Sequence, residues 1–308
     1  MKDETINKIK TSYYDKKILD KIILQTYNKE TEDYREFAIL DNNKVAFRNL
    51  TFKNKKYLIK TIFNKNFPFT FFNNLSNCYL SVARINKLPN FPFKRVERKK
   101  ETAKFHIHKY IENVRGYDFY IDIDIDNLED IKYLIDELNR IKEFIVLYQL
   151  KAQIVFSGSR GFKILIKNDL MKYEYIIKLI HILKEKLNLN YVDNRGSFII
   201  NKLMKCNFTI AFKPYNKFGY KLPYDYSKYD TSVRYVLPLK EYNIDFFMRR
   251  ILKDNCFKIF DYPNIKLEQE FKQEKYTDWF LNKNLSDEEG KENLNNMLKD
   301  FDINLKEV

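Results

Sequence analysis

Between Asp118 and Asp126 the chain reads Asp-Phe-Tyr-Ile-Asp-Ile-Asp-Ile-Asp. A strict period of two fits an extended strand and does not fit a helix, because side chains at i and i+2 of a strand share a face. Asp122, Asp124 and Asp126 therefore lie on one face and Ile121, Ile123 and Ile125 on the other, buried one. Like charges crowded on one face repel unless cations neutralise them, and carboxylates are the hard oxygen ligands that Mg²⁺ and Mn²⁺ prefer. Two such ions about 3.5–4 Å apart serve an in-line phosphoryl transfer. The same alternation also describes a half-buried strand whose outer face is merely acidic. Its surroundings are basic: 56 Lys and Arg against 42 Asp and Glu give a net charge of +14, which favours a polyanionic partner, nucleic acid foremost.

Strand and helix patterns alternate around this segment. Apolar positions between residues 5 and 28 recur at helical spacing, and Tyr34 to Ala38 and Val45 to Phe52 read as short strands. The stretch from about 55 to 110 mixes basic and aromatic residues and reads as partly irregular. After the acidic strand, Leu128 to Leu147 and Tyr173 to Leu187 carry amphipathic helical patterns, while Gln153 to Phe156 and Phe162 to Ile166 read as strands. Phe198 to Met204 and Val233 to Leu237 are further strand candidates. The expected class is α/β or α+β with one core over about 30–240.

With 44% hydrophobic and 16% aromatic residues the chain has ample material for a core, which argues against disorder. Six Gly and seven Pro leave no flexible linker. Cys78, Cys206 and Cys256 are far apart and without CxxC spacing, so no structural zinc is expected. The charged start MKDETINKIK and the absence of a long apolar run point to a protein without membrane contact, cytoplasmic, or nuclear in a eukaryote. Residues 265–308 hold seven Lys against eleven Asp and Glu. Setting this tail's −4 against the total of +14 leaves +18 on residues 1–264, so the positive field belongs to the α/β part. The tail reads as helical; Phe271, Trp279, Phe280, Leu281 and Leu285 give it an apolar face that docks on the core or receives a partner, away from the active site.

A second segment carries chemistry. Phe156-Ser157-Gly158-Ser159-Arg160-Gly161-Phe162-Lys163 reads as a hairpin whose backbone N–H groups, serine hydroxyls, Arg160 and Lys163 face an anion, or as an ordinary exposed hairpin. Taken with the aspartate strand and three further stretches, it resembles the archaeo-eukaryotic primase superfamily, most closely the small catalytic subunit of the replicative primase. Tyr34-Arg35-Glu36-Phe37 with Arg48 is similar to the family's REF motif and its downstream arginine, and Tyr79-Leu-Ser81-Val-Ala83-Arg84 to its YxSxAxY stretch. Asp122-Ile-Asp124 resembles the motif with two metal-binding aspartates, and Ser157 to Lys163 resembles SGxRGxH. Val192-Asp193, followed by Lys202-Leu203-Met204-Lys205, Thr209 and Lys213, is similar to the third aspartate with RLxR/K, a serine and a lysine.

The resemblance implies a primase-type core with a sheet like that of the RNA-recognition motif, a helical N-terminus and a helical tail, divided as a catalytic domain over 1–264 and a tail over 265–308. It implies that Asp122, Asp124 and Asp193 hold two Mg²⁺ or Mn²⁺ ions. Ser157, Arg160, Lys163 and Lys205 would bind the nucleoside triphosphate, with Glu36, Arg48 and Lys213 supporting that site. The implied reaction is primer synthesis on single-stranded DNA, with a primase large subunit as an open partner; the alternative is a non-catalytic primase-like subunit that binds nucleic acid or assembles a replication complex. Lys163 stands where the family has His, Gly196-Ser197 replaces Val-Thr, Ala211 and Pro214-Tyr215 depart downstream, and the family's zinc motif is absent.

Overall fold

The computed structural model describes residues 16–41, 44–54, 56, 77–86, 112–126, 128–157, 161–193, 203–207, 236–240, 244 and 275–301. In chain order these hold α1 (Lys16–Thr26), β1 (Phe37–Asp41), β2 (Lys44–Leu50), β3 (Asn77–Ser81), β4 (Ala83–Ile85) and β5 (Val114–Asp124). There follow α2 (Ile131–Leu147), β6 (Ala152–Phe156), β7 (Gly161–Met171), α3 (Tyr173–Lys186), β8 (Leu203–Lys205), β9 (Leu237–Leu239) and α4 (Asp287–Asp300). Mixed α+β architecture is as expected. No helix among the described residues is long and apolar enough to cross a membrane.

The strands form two sheets, a four-stranded one in the order β2-β1-β3-β8 and a five-stranded one in the order β4-β5-β7-β6-β9. Every pairing is antiparallel. In the larger sheet the chain runs β5-α2-β6-β7-α3 and then returns to β5 through an isolated bridge between Ile123 and Val192, a β-α-β-β-α-β order. Its apolar face is built from Phe119, Ile121 and Ile123 of β5, Ile154 and Phe156 of β6, and Phe162, Ile164 and Ile166 of β7, each at most 1% exposed. Helix α2 closes this core with Leu134, Ile135, Leu138 and Ile141, and α3 with Ile176, Leu179, Ile180 and Leu183.

The 77–85 segment departs from the irregular reading of its sequence. Here the chain passes from one sheet to the other, since β3 belongs to the small sheet and β4, one residue later, to the large one. Ser81 makes the corner: its Oγ donates to Ala83 O at 2.7 Å and accepts from Glu36 N at 2.8 Å. Arg35, 1% exposed, donates from Nη1 to Ser81 O at 2.7 Å and pairs through Nη2 with Asp118 of β5 at 2.6 Å. Arg84 reaches the same carboxylate at 3.0 Å and Asp33 at 3.2 Å. Burial would raise the Asp118 carboxyl, but the Arg35, Arg84 and Lys167 charges outweigh it and hold the group below the usual carboxylate range. Burial, with Arg84 adding to it, draws the Arg35 guanidinium down to about 10.

The tail is stapled to the outer part of the large sheet. Leu281 bridges Ala152, and Trp279, Phe280, Leu281, Leu294, Met297 and Leu298 are all buried. Ser286 and Glu289 form a reciprocal capping box at the start of α4. Asp287 pairs with Lys151 at 2.7 Å and Lys167 at 2.8 Å. Gly290 lies so close to Lys151 that a Cβ there would stand 2.6 Å from the lysine Cβ.

Removing one partner of a buried pair leaves the other charge uncompensated. Arg35→Met is expected to cost about 3–5 kcal/mol in denaturant unfolding, whereas Lys53→Ala, which breaks exposed contacts with Glu32 at 4.0 Å and with the Tyr27 ring, should shift the unfolding midpoint far less. The tail contact carries a pH signature. Burial opposes ionisation of Asp287, but its bonds to Lys151 and Lys167 bring its carboxyl down to about 2. A depressed carboxyl stabilises the folded form above its unfolded value of about 3.9, so the contribution is full at neutral pH and fades as pH falls from about 4 to about 2. Because Asp287 is 47% exposed, at most about 1 kcal/mol is at stake. Fluorescence of Trp279, the single tryptophan, should report a loosened tail in that window in the parent but not in Asp287→Asn.

Candidate functional site

The second face of the large sheet is polar. Asp118, Tyr120, Asp122 and Asp124 alternate along β5, and register places Asp122 opposite Lys163 and Tyr120 opposite Leu165 on β7, with Leu165 opposite Gln153 on β6. β5 ends at Asp124, so Asp126, exposed, lies beyond the strand. Asp122 and Asp124 are half-buried while Ile121, Ile123 and Ile125 are buried, which is the division the alternation predicts.

Asp193 arrives from the far side of α3. Its N–H donates to Asp122 O at 2.8 Å, and Asp124 N donates to Tyr191 O at 2.9 Å, so a short backbone pairing sets the main chain of Asp193 beside that of Asp122. Two α2 side chains fix this approach. Glu137, 1% exposed, accepts from the backbone N–H groups of Asn190 and Tyr191, and Arg140 donates to Leu187 O at 2.8 Å and Asn188 O at 2.9 Å. Nothing in the sequence distinguishes Glu137 from Glu143, the solvent-facing glutamate of the same helix.

The carboxylates surround a phenol. Burial raises the Tyr120 hydroxyl well above its ordinary value, and the charges of Asp122, Asp124 and Asp193, with a hydrogen bond to Asp122, push the same way. Tyr79, on the neighbouring sheet, is raised by burial and then by Asp122 and Asp124. Both phenols stay neutral, and Tyr120 donates its O–H to Asp122. Gly161 completes the arrangement: a Cβ at this position would overlap Ile123 O and Asp124 Oδ1, so the hairpin strand can lie against Asp124 only with glycine there. Carboxylates are the donors that suit a hard divalent cation. No group of three or more His, Cys, Asp or Glu side chains that could hold a metal ion is formed among the described residues.

The anion-binding set is only partly described. Ser157 is half-buried at the end of β6, and its N–H donates to Gly161 O at 2.9 Å, closing the hairpin. Lys163 is 4% exposed and donates from Nζ to Asn207 Oδ1 at 3.0 Å, so it is a buried lysine and not a solvated hairpin one. Glu36 is fully buried beneath the Ser81 corner. Arg160 and Lys213, and the side chains of Arg48 and Lys205, lie outside the described residues, as do Gly158, Ser159, Lys202, Thr209 and the tail's Phe271.

Next to Lys163 the polar face is hollow. A cavity of about 60 Å³ is lined by Arg35, Arg84, Asp118, Gln153, Lys163 and Lys167, and is roofed by Asn207 and by Tyr276 and Phe280 of the tail. Tyr276 and Phe280 of the tail thus form part of the wall beside Lys163. Tyr276, whose phenol is raised by burial, donates to Gln153 Oε1 at 3.3 Å. No protein-family model matches the chain, and no curated protein is significantly similar to it.

Proposed function

We propose that this chain is a primase-type nucleotidyl transferase, which joins nucleotides on a single-stranded DNA template. The observation that carries the reading is the shared face of Asp122 and Asp124, extended by the backbone bond from Asp193 to Asp122 and faced across the ladder by Lys163. Carboxylates facing a buried cation are groups that a phosphoryl-transfer site would use. The β-α-β-β-α-β order gives further support, since it is the arrangement a primase core with a sheet like that of the RNA-recognition motif would have.

In this reading a primer 3′-hydroxyl attacks the α-phosphorus of a nucleoside triphosphate, the P–O bond to the β-phosphate breaks, and pyrophosphate leaves. A pair of Mg²⁺ or Mn²⁺ ions held by Asp122, Asp124 and Asp193 would supply charge stabilisation for the attacking and departing oxygens. The chain's own groups do the rest. Tyr120 donates to Asp122 and holds that carboxylate in place, Glu137 fixes the turn that presents Asp193, and Ser157, Arg160, Lys163 and Lys205 neutralise the triphosphate. Net charge of +18 on residues 1–264 draws in template and nucleotide.

Asp124→Asn keeps the shape of the side chain and removes its charge. Primer synthesis in Mg²⁺ or Mn²⁺ should fall by at least about a hundredfold, with the unfolding midpoint little changed; undiminished synthesis would remove Asp124 from the site.

A second reading, a non-catalytic primase-like subunit, is favoured by one observation: Lys163 is buried and bonded to Asn207 beneath the tail. Lys163→Ala separates the two. A charge-assisted contact to phosphate is worth about 1.5–3 kcal/mol, so in the catalytic reading the KM for nucleotide rises about tenfold or more. Unaltered nucleotide binding by that variant, together with a parent that makes no product, selects the non-catalytic subunit.

A further inference from the structure

Two phenols face the aspartate strand, one from each sheet, and they differ in what their hydroxyls do. Tyr120, 4% exposed, gives its O–H to Asp122. Tyr79 stands on β3 between Cys78 and Leu80, which are 1% and 0% exposed, so strand alternation turns it to the other face of the small sheet, the one toward Asp122 and Asp124. Register sets it between Ala38 of β1 and Lys205 of β8, in the interior of that sheet, where paired backbone on both sides holds it in place.

Burial raises the Tyr79 hydroxyl above its ordinary value, and the charges of Asp122 and Asp124 push the same way, yet neither carboxylate bonds to it. Among the described residues no other group does so either. Solvent reaches the hydroxyl, since the side chain is only half-buried and its oxygen is not sealed inside the protein. A neutral donor therefore lies close enough to two carboxylates to feel their charge, too far from them to bond, and within reach of a bound molecule. Such a gap suits a third group.

On the reading of Asp122, Asp124 and Asp193 as holders of two ions, on which this inference rests, that group belongs to the nucleotide. The charged end of a nucleotide is met by cations, and Lys163 faces Asp122 from β7. Tyr79 approaches the same carboxylates from the other sheet with a phenol, which both gives and accepts a hydrogen bond and offers the apolar surface of a ring. A sugar has the matching groups: hydroxyls that give and accept, around an apolar ring. It begins one methylene beyond the ester oxygen of the α-phosphate, the group on which such ions act. Bases differ in their donor and acceptor patterns, whereas the sugar hydroxyls are shared by every ribonucleotide. A fixed contact that serves all of them falls to the sugar.

We propose that Tyr79 is the sugar contact of the nucleotide site, with its O–H bonded to a ribose hydroxyl. The hydroxyl is the 2′ or the 3′ one. In the first case this residue tells ribonucleotides from deoxyribonucleotides; in the second it orients the end from which the next nucleotide is added.

The test measures equilibrium binding of three triphosphates of one base, the ribo, 2′-deoxy and 3′-deoxy forms, to the full chain in Mg²⁺. The parent, Tyr79→Phe and Asp124→Asn are compared. Tyr79→Phe removes the O–H and keeps the ring; because the hydroxyl bonds nothing in the fold, the unfolding midpoint stays that of the parent. A neutral hydrogen bond is worth about fivefold in affinity, so the parent binds one deoxy form about fivefold more weakly than the ribo form. Tyr79→Phe binds the ribo form as weakly as the parent binds that deoxy form, with no further loss when the hydroxyl is absent. A loss with the 2′-deoxy form assigns the 2′-hydroxyl, and a loss with the 3′-deoxy form the 3′-hydroxyl. Three results overturn the proposal and leave the nucleotide site standing: the parent binds all three forms alike, Tyr79→Phe keeps the parent's ratios, or Tyr79→Phe weakens all three equally, which puts the phenol on a phosphate oxygen or an ion-bound water. Binding that Asp124→Asn leaves unchanged, or no binding by the parent, overturns the reading of the carboxylates and the proposal together.

Discussion

The buried pair between Arg35 and Asp118 ties the two sheets together. Arg35 leads into the first strand of the small sheet, Asp118 lies in the central region of the large one, and the guanidinium also holds the carbonyl oxygen of Ser81 where the chain crosses between them. Removing these charges from water is expensive, and the cost is offset by pairing: Asp118 takes two guanidinium groups, and Arg84 takes Asp33 in turn. Geometry follows from that requirement. The polar face of β5 must turn toward the small sheet, which sets Tyr79 against Asp122 and Asp124 and leaves the opposite face for the two helices.

How much of this the sequence discloses depends on whether a feature is local. The alternation from Asp118 to Asp126 is local, and it correctly assigns both faces of β5. It gives no means of separating Asp118, which serves as a structural counter-ion, from Asp122 and Asp124 two and three positions along the same face; that difference is made by Arg35 and Arg84, which come from elsewhere in the chain. The helical periods of α2 and α3 are equally plain, although Leu128 falls in a short 3₁₀ turn ahead of α2. The strands at 77–85 escape a reading by period because each is short and the two belong to different sheets, so no one face is continuous. Strand candidates near residues 198 and 233 are described only at their ends, as Leu203–Lys205 and Leu237–Leu239, the latter displaced toward the C-terminus.

The groups that a motif reading overlooks are those that position others. Glu137 and Arg140 look like surface residues of a helix, yet they grip the turn at 187–191 and through it the backbone that carries Asp193. Asn207 and Gln153 are uncharged and belong to no recognisable pattern, yet they convert a buried lysine into a directed row of hydrogen bonds. Burial and polarity together mark such residues, and burial is a property of the folded chain alone. The sheet is thus divided by chemistry: its helix-covered face is held by packing, and its other face by hydrogen bonds and charge.

That division bears on how the chain is made. Lys167 and its tail partner Asp287 are separated by 120 residues, so at about 5–20 residues per second a ribosome takes roughly 6–24 s to deliver the second after the first. Throughout that interval the part of the large sheet later roofed by Tyr276 and Phe280 stands open to water. A sheet with two apolar faces would present a sticky surface for the whole of the wait. Here the helices that cover the apolar face are interleaved with its strands and emerge alongside them, while the face that waits for the tail is lined with lysine, arginine and amide groups that water can solvate. The order of elements along the chain and the chemistry of the two faces together shield the nascent protein from aggregation.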